Sequence, residues 1–354
     1  SFLVPIKESG SLLPQLFIAA YVRKLPIRKW VWSLGTFLQA LCMFGIALVA
    51  WNMEGLSAGL AIIALLIAMS LARGLCSVAA KDVVGKTIPK TRRGALNGLS
   101  AMLAGLLVVV LGVYFLLNGE KPFSAQNFGV LLSLAGFFWI IASFSYLKIK
   151  EYPGETDGGG NAFTVAISKL GILKTDKPFR LFVITRALFL CSVLSAPFFV
   201  IIAQQNSEAN AYLLGLFILS SGLADLLSAN FWGKFSDVSS KRVMIIGATI
   251  ATTVSFVVVF IDFFYKELFS IIWIMPIIYF ILSIGYQGIR IGRKTYITDL
   301  AEGNKRTDYV AVSNTLIGFI LLLSGLIGTL SSIIGLGGII FILSLTGVLA
   351  IYLA

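Results

Sequence analysis

Two charged side chains stand where charge is costly. Arg186 lies seven residues into an apolar run that begins near residue 179, and Asp225 lies six residues from the end of the next run. If these runs cross a bilayer, each charge near mid-membrane costs about 3 kcal/mol or more, and such residues mark ion or solute pathways. A carboxyl group at that depth is a proton-carrier candidate. Arg73 stands at a similar depth in the first half of the chain. At 1.5 Å per residue the depths of Arg186 and Asp225 agree within a turn, so neighbouring helices would bring them together. Two readings stay open for Arg73, Arg186 and Asp225: a coupled set facing a central cavity, or a static Arg186–Asp225 pair that fixes helix packing. Arg290 is near enough to a run end to snorkel out.

Softer polar candidates accompany them. Lys7, Glu8, Ser9, Ser11 and Gln15 form a stripe at the first apolar run, either an outer vestibule or a solvated helix start. Tyr279, Ser283, Tyr286 and Gln287 recur at helical spacing, which suits a solute lining and equally suits packing with local hydrogen bonds. Asn97 and Asn314 are similar candidates. The chain has no histidine, no metal-ligand cluster and no nucleophile elbow, so enzyme chemistry, metal binding and a cofactor are not expected. Cys42, Cys76 and Cys191 all lie in apolar runs and read as buried small residues.

The elements that must position these residues are membrane helices. The 354 residues are 58% hydrophobic and only 12% charged, whereas a soluble chain carries about 25% charged residues. The apolar runs are continuous and long enough to span, which selects helices over a barrel. They fall near 9–22, 30–51, 56–80, 94–117, 124–147, 179–204, 211–231, 243–262, 268–290, 307–330 and 337–354. The fold class is therefore an all-α polytopic membrane protein.

The charge distribution gives an orientation. The segments 23–29, 81–93, 148–180, 234–242 and 290–306 hold 23 of the 28 Lys and Arg, and the alternate segments hold only Lys7, Lys121 and Lys266. The basic side is expected to be cytoplasmic, in a cell (inner) membrane. Loops 23–29, 81–93, 148–178, 234–242 and 290–306 lie on it. The net charge of +12 reflects this bias and not a nucleic-acid surface. Trp30, Trp32, Trp51, Tyr146 and Trp232 fall at run ends, where interfacial anchors belong.

One offset relates the halves. Subtracting 213 takes Lys241-Arg242 to Arg28-Lys29, Lys305-Arg306 to Arg92-Arg93, Lys294 to Lys81, Ser313 to Ser100, Gly318 to Gly105 and Gly325 to Gly112. That is the mark of a duplicated bundle whose copies run in the same sense. The span 179–204 has no counterpart at the start of the chain, so a helix preceding Ser1 is expected, giving six spans in each half. The domains are then 1–147, a linker 148–178 and 179–354. Gly154 to Asn161 is flexible by composition. Phe163, Ile167, Leu170 and Leu173 predict a short amphipathic helix, with a plain polar loop as the alternative.

The loop Gly233-Lys234-Phe235-Ser236-Asp237-Val238-Ser239-Ser240-Lys241-Arg242 resembles a signature of the major facilitator superfamily of secondary transporters, Gly-x-x-x-Asp-Arg/Lys-x-Gly-Arg/Lys-Arg/Lys. Gly233, Asp237, Lys241 and Arg242 match it, while Val238 and Ser240 depart. In the first-half copy Arg28 and Lys29 match, but Ala20 and Lys24 replace the Gly and Asp. Arg73 alone survives of a fourth-helix Arg-x-x-Gln-Gly pattern. The small-residue faces Gly98-Gly105-Gly112 and Gly318-Gly325 resemble those the family uses between halves.

The resemblance implies a monomeric transporter that moves a small solute by alternating access, with proton coupling expected. Three arginines against one deep aspartate suit an anionic or zwitterionic solute. Asp237 with its basic neighbours would act as a latch at a helix N-terminus. Purely topogenic charge is the alternative reading of Lys241 and Arg242. A non-transporting sensor or structural protein of the same fold is the alternative function.

Overall fold

The computed structural model describes residues 10–117, 125–156, 168–206, 210–324 and 327–354. The described helices are α1 (Gln15–Val22), α2 (Lys29–Asn52), α3 (Gly55–Thr87), α4 (Arg93–Leu117), α5 (Ala125–Leu147), α6 (Ile172–Thr175), α7 (Lys177–Val193), α8 (Ala196–Gln205), α9 (Asn210–Phe264), α10 (Ile274–Asp299), α11 (Gly303–Ser324) and α12 (Ile327–Leu353), and no strand occurs among the described residues. Among the described residues nine stretches are long and apolar enough to cross a membrane, α7 and α8 forming one, and Gly10–Val22 is a shorter apolar helix. The 55-residue α9 carries two of the expected spans, because its backbone leaves helical geometry only at Ser239 (φ −159°, ψ 94°).

The helices outlast their apolar runs. Lys81 to Thr87 continue α3, Arg290 to Asp299 continue α10, and Ser236 to Val238 continue α9. These segments were expected as loops. Hydropathy falls where a helix leaves the hydrocarbon, but backbone hydrogen bonding does not stop there. Within the linker, the described part holds the four-residue α6, while Phe163 and Ile167 lie outside the described residues.

The helices group into two compact units. The first comprises residues 1–88, 123–177 and 297–326, with α1, α2, α3, α5, α6 and α11; the second comprises 89–122, 178–296 and 327–354, with α4, α7, α8, α9, α10 and α12. The second unit is built on a core in which Phe199, Leu213, Phe217, Val258, Phe269, Met275, Leu282 and Ile340 are buried. Trp232, expected as an interfacial anchor, packs into the interior of this unit. It is 4% exposed, and its indole N–H donates to the Ile284 carbonyl at 3.1 Å. The helix runs on past Trp232, so the end of the apolar run is not the end of the packed interface. Trp32 stacks on Tyr146 in the first unit.

The close-packed seam of each unit repeats the sequence offset. A methyl group on Gly105 of α4 would lie 2.6 Å from the Leu226 amide nitrogen and 2.9 Å from Asp225 Cβ in α9. One on Gly318 of α11 would lie 3.0 Å from Leu12 Cβ and 3.2 Å from the Leu13 amide nitrogen. Subtracting 213 takes Asp225-Leu226 to Leu12-Leu13 and Gly318 to Gly105. Gly98 meets Ala229 and Gly233, and Gly112 meets Leu219, extending the α4–α9 contact over about four turns. Gly325 lies outside the described residues.

Candidate functional site

The most heavily built polar site lies in the first unit and centres on Asp82, which is 1% exposed. Extension of α3 beyond its apolar run carries this carboxylate and Lys86 into the cluster. Asp82 pairs with Arg28 at 3.0 Å, with Lys86 at 2.8 Å and with Arg306 at 3.7 Å. The Arg306 guanidinium fills the space a side chain at Gly85 would need, so only glycine admits it. Arg28, also 1% exposed, uses all of its guanidinium nitrogens. Nε donates to the Leu25 carbonyl, Nη1 to Thr307 Oγ1 at 2.9 Å besides its pair with Asp82, and Nη2 to Asn304 Oδ1 at 2.6 Å and the Glu155 carbonyl at 3.1 Å. Burial of so many charges is tolerable only with this degree of pairing.

The linker joins the same cluster. Glu151 accepts from the backbone amides of Arg28 and Lys29 at 3.0 and 2.7 Å, so it caps the start of α2. It also pairs with Lys86 at 3.1 Å. Lys29 Nζ in turn donates to the Leu147 and Ile149 carbonyls at the end of α5. Nearby in sequence, Arg23 pairs with Asp308 at 3.2 Å and Lys169 pairs with it at 2.7 Å. Arg28 and Lys29 were singled out by the sequence; Asp82, Glu151, Arg23, Arg306 and Asp308 were not. The available signal was a lone acid, Asp82, within the basic segment 81–93.

In the second unit Asp237 occupies the N-terminus of α4. Its carboxylate accepts from the Gly94 amide at 2.5 Å and the Ala95 amide at 2.8 Å, a charge placed at the positive end of a helix dipole. Gly233 lies against Gly94 and Gly98, and its lack of a side chain allows this approach. Lys241 and Arg242 do not join Asp237 as expected: both are exposed, and neither has an acidic partner among the described residues. The backbone leaves helical geometry at Ser239, between Asp237 and this pair, and the Ser239 hydroxyl accepts from the Arg242 amide at 3.4 Å.

The intramembrane candidates divide between the units. In the first, Gln15 is fully buried and its Oε1 accepts from Asn314 Nδ2 at 2.6 Å. Asn314 also reaches Ser77 Oγ at 3.3 Å, and Lys81 donates to the same oxygen at 3.3 Å. Arg73 is one helical turn before Ser77 and is exposed. Glu8 lies outside the described residues. In the second unit, the ionic partner of Asp225 is Arg290 at 3.8 Å, not Arg186. Asp225 lies within α9 and Arg290 within α10, well inside the helix ends, and the Arg290 side chain is half-exposed. Arg186 is 8% exposed, with Arg293 a second positive charge in range.

The stripe on α10 splits. The Tyr286 hydroxyl is 2.8 Å from Ser195 Oγ, and Tyr279 packs edge-on to Phe217. Gln287 is fully buried, and neither amide atom has a hydrogen-bond partner. Asn97 donates to Thr295 at 3.3 Å. No group of three metal-ligating side chains occurs among the described residues.

A multi-pass helical protein with glycine-faced seams and charge clusters at helix ends is the class these features define. A sequence model of the Major Facilitator Superfamily matches residues 8–325, and the chain belongs to that family. Solved structures of the same fold include the proton:xylose symporter XylE bound to 6-bromo-6-deoxy-D-glucose (TM-score 0.70, 14% identity, covering 99% of this chain and 84% of that one). A bacterial homologue of the iron transporter ferroportin in an outward-facing state matches with TM-score 0.70 and 13% identity, over 99% and 88% of the two chains. The human organic anion transporter MFSD10 matches with TM-score 0.59 and 13% identity, over 96% and 83%. No curated protein matches in sequence. The family and these neighbours support a transporter with a small-molecule substrate, embedded in a membrane.

Proposed function

We propose that the protein is a secondary active transporter that moves a small anionic or zwitterionic solute by alternating access. The two sequence halves, 1–147 and 179–354, rock against each other on the α4–α9 and α1–α11 seams. The observation that carries this reading is the recurrence of one glycine contact at both seams under the 213-residue offset. Smooth, side-chain-free contacts let helices slide and tilt without unpacking. The Asp237 cap on α4 and the Asp82 cluster act as latches on the basic side, which we take as cytoplasmic. Breaking such charge-assisted contacts shifts a two-state equilibrium by their differential energy.

Asp225, held beside Arg290, is the proton-coupling candidate, and Arg186, Arg290 and Arg293 favour a negatively charged group. Gln287, buried with both amide atoms unpartnered, has hydrogen bonds to offer a solute when the bundle opens. Flux into proteoliposomes tests the reading. Solute should accumulate under a proton gradient, and Asp225→Asn should abolish accumulation while leaving exchange. Equal accumulation by Asp225→Asn at every gradient would move the coupling elsewhere. A protein that binds solute and never moves it would be a sensor of the same fold, as the departures at Ala20 and Lys24 allow.

A further inference from the structure

One face of α9 reads Leu227, Phe231, Lys234 and Val238, at successive spacings of four, three and four. Leu227, Phe231 and Val238 are 66%, 62% and 79% exposed, and Lys234 is exposed among them. The face ends at the Ser239 break, where exposed Lys241 and Arg242 follow. None of these three cations has an acidic partner among the described residues. The basic turn Lys90–Arg92, which packs against α9, adds exposed Arg92.

The internal duplication supplies a control. Lys241-Arg242 corresponds to Arg28-Lys29, and in that copy the pair is consumed inside the protein: Arg28 by Asp82, Lys29 by the end carbonyls of α5. Adding 213 to Asp82 gives Thr295, which carries no charge and bonds Asn97 instead. The counter-carboxylate is therefore absent from the second copy, while the cations remain, exposed at the end of an apolar face.

We propose that this face binds an anionic phospholipid, its phosphate held by Lys234, Lys241 and Arg242 and its acyl chains lying along Leu227 and Phe231. An apolar stripe ending in unpaired cations complements a lipid with a negative headgroup. Lys234 is one turn before Asp237, so the occupied site lies beside the α4 cap and adds a negative charge next to the latch. The proposal needs membrane embedding alone and is independent of solute and coupling ion.

Native mass spectrometry of the purified full chain, loaded from mixed phosphatidylcholine and phosphatidylglycerol, tests it. At roughly fivefold per basic residue near an anionic headgroup, the parent should retain phosphatidylglycerol over phosphatidylcholine by at least about tenfold. Lys234→Gln/Lys241→Gln/Arg242→Gln should fall to parity. Lys266→Gln, outside the face, and the charge-conserving Lys234→Arg/Lys241→Arg should both keep the preference. Parity in the parent, or a preference that survives the triple substitution, overturns the proposal. So does displacement of the lipid by millimolar inorganic phosphate, which would mark a free-anion site. If the triple variant does not fold, loss of preference in the charge-conserving variant decides against the site.

Discussion

The two seams repeat one glycine contact under the 213-residue offset and differ in polarity. In the second unit the acid sits on α9: Asp237 caps α4 at Gly94 and Ala95. In the first unit the corresponding stretch carries bases, with Arg23 where Ser236 stands, and the acid has moved to the other helix, with Asp308 where Ala95 stands. Arg23 and Asp308 pair at 3.2 Å. The surroundings diverge further. Arg28 and Asp82 are buried in a network of charges, whereas their counterparts Lys241 and Thr295 share no interaction. The lesson is that duplication preserves close packing more strictly than electrostatics. A glycine contact depends on shape alone, but an ion pair can be inverted or dissolved if its neighbours change with it.

The largest expected effect follows from Asp82. Asp82→Ala leaves Arg28, Lys86 and Arg306 buried beside one another, and breaking a buried charge cluster in this way costs about 3–5 kcal/mol. Thermal unfolding of the purified chain should register it as the most damaging change at either seam, with Thr295→Ala far milder. Equal losses for the two would erase the distinction drawn between them.

Gly105→Ala and Gly318→Ala come next. The new methyl meets backbone nitrogen at 2.6 Å in the first case and no atom closer than 3.0 Å in the second. Overpacking against backbone costs about 1–3 kcal/mol, so Gly105→Ala should lower Tm clearly and Gly318→Ala by less. Transport rates should rank the same way if the seams slide during the cycle. Asp237→Ala removes a cap worth about 1 kcal/mol. Its effect on Tm should be modest, and its effect on the balance of inward and outward states, read by cysteine accessibility, should be the larger one. A balance unchanged in Asp237→Ala would make the contact purely structural.

Much of the architecture is legible in the residues. Hydropathy places the spans, and the offset finds the glycines, because both rest on local, unambiguous properties. The ion network was not legible for two physical reasons. First, apolar runs end where helices leave the lipid, so Asp82, Ser236 and Asp237 read as loop residues although they are helical. Second, Arg28 draws partners from residues 25, 82, 155, 304 and 307, a convergence that no spacing rule reveals. Asp225 was noticed for its depth, but depth alone does not choose between Arg186 and Arg290.

The smallest expected effect is the sharpest test of the comparison. Lys241 and Arg28 occupy the same place in the duplicated signature, so a purely sequence-based ranking would treat Lys241→Gln and Arg28→Gln alike. The structure separates them. Arg28→Gln strips a buried cluster of five polar contacts and leaves Asp82 with a deficit of positive charge, so Tm should fall by several degrees, as for other broken buried pairs. Lys241→Gln touches only an exposed side chain, so its Tm in neutral detergent should match the parent. In vesicles rich in phosphatidylglycerol the lysine gains a partner, and there alone Lys241→Gln should unfold at a lower temperature than the parent, since a ligand stabilises only the state that binds it. A gap between the two proteins that is the same in both lipid environments would mean that Lys241 acts through the protein itself, and the two copies of the signature would be more alike than their contacts suggest.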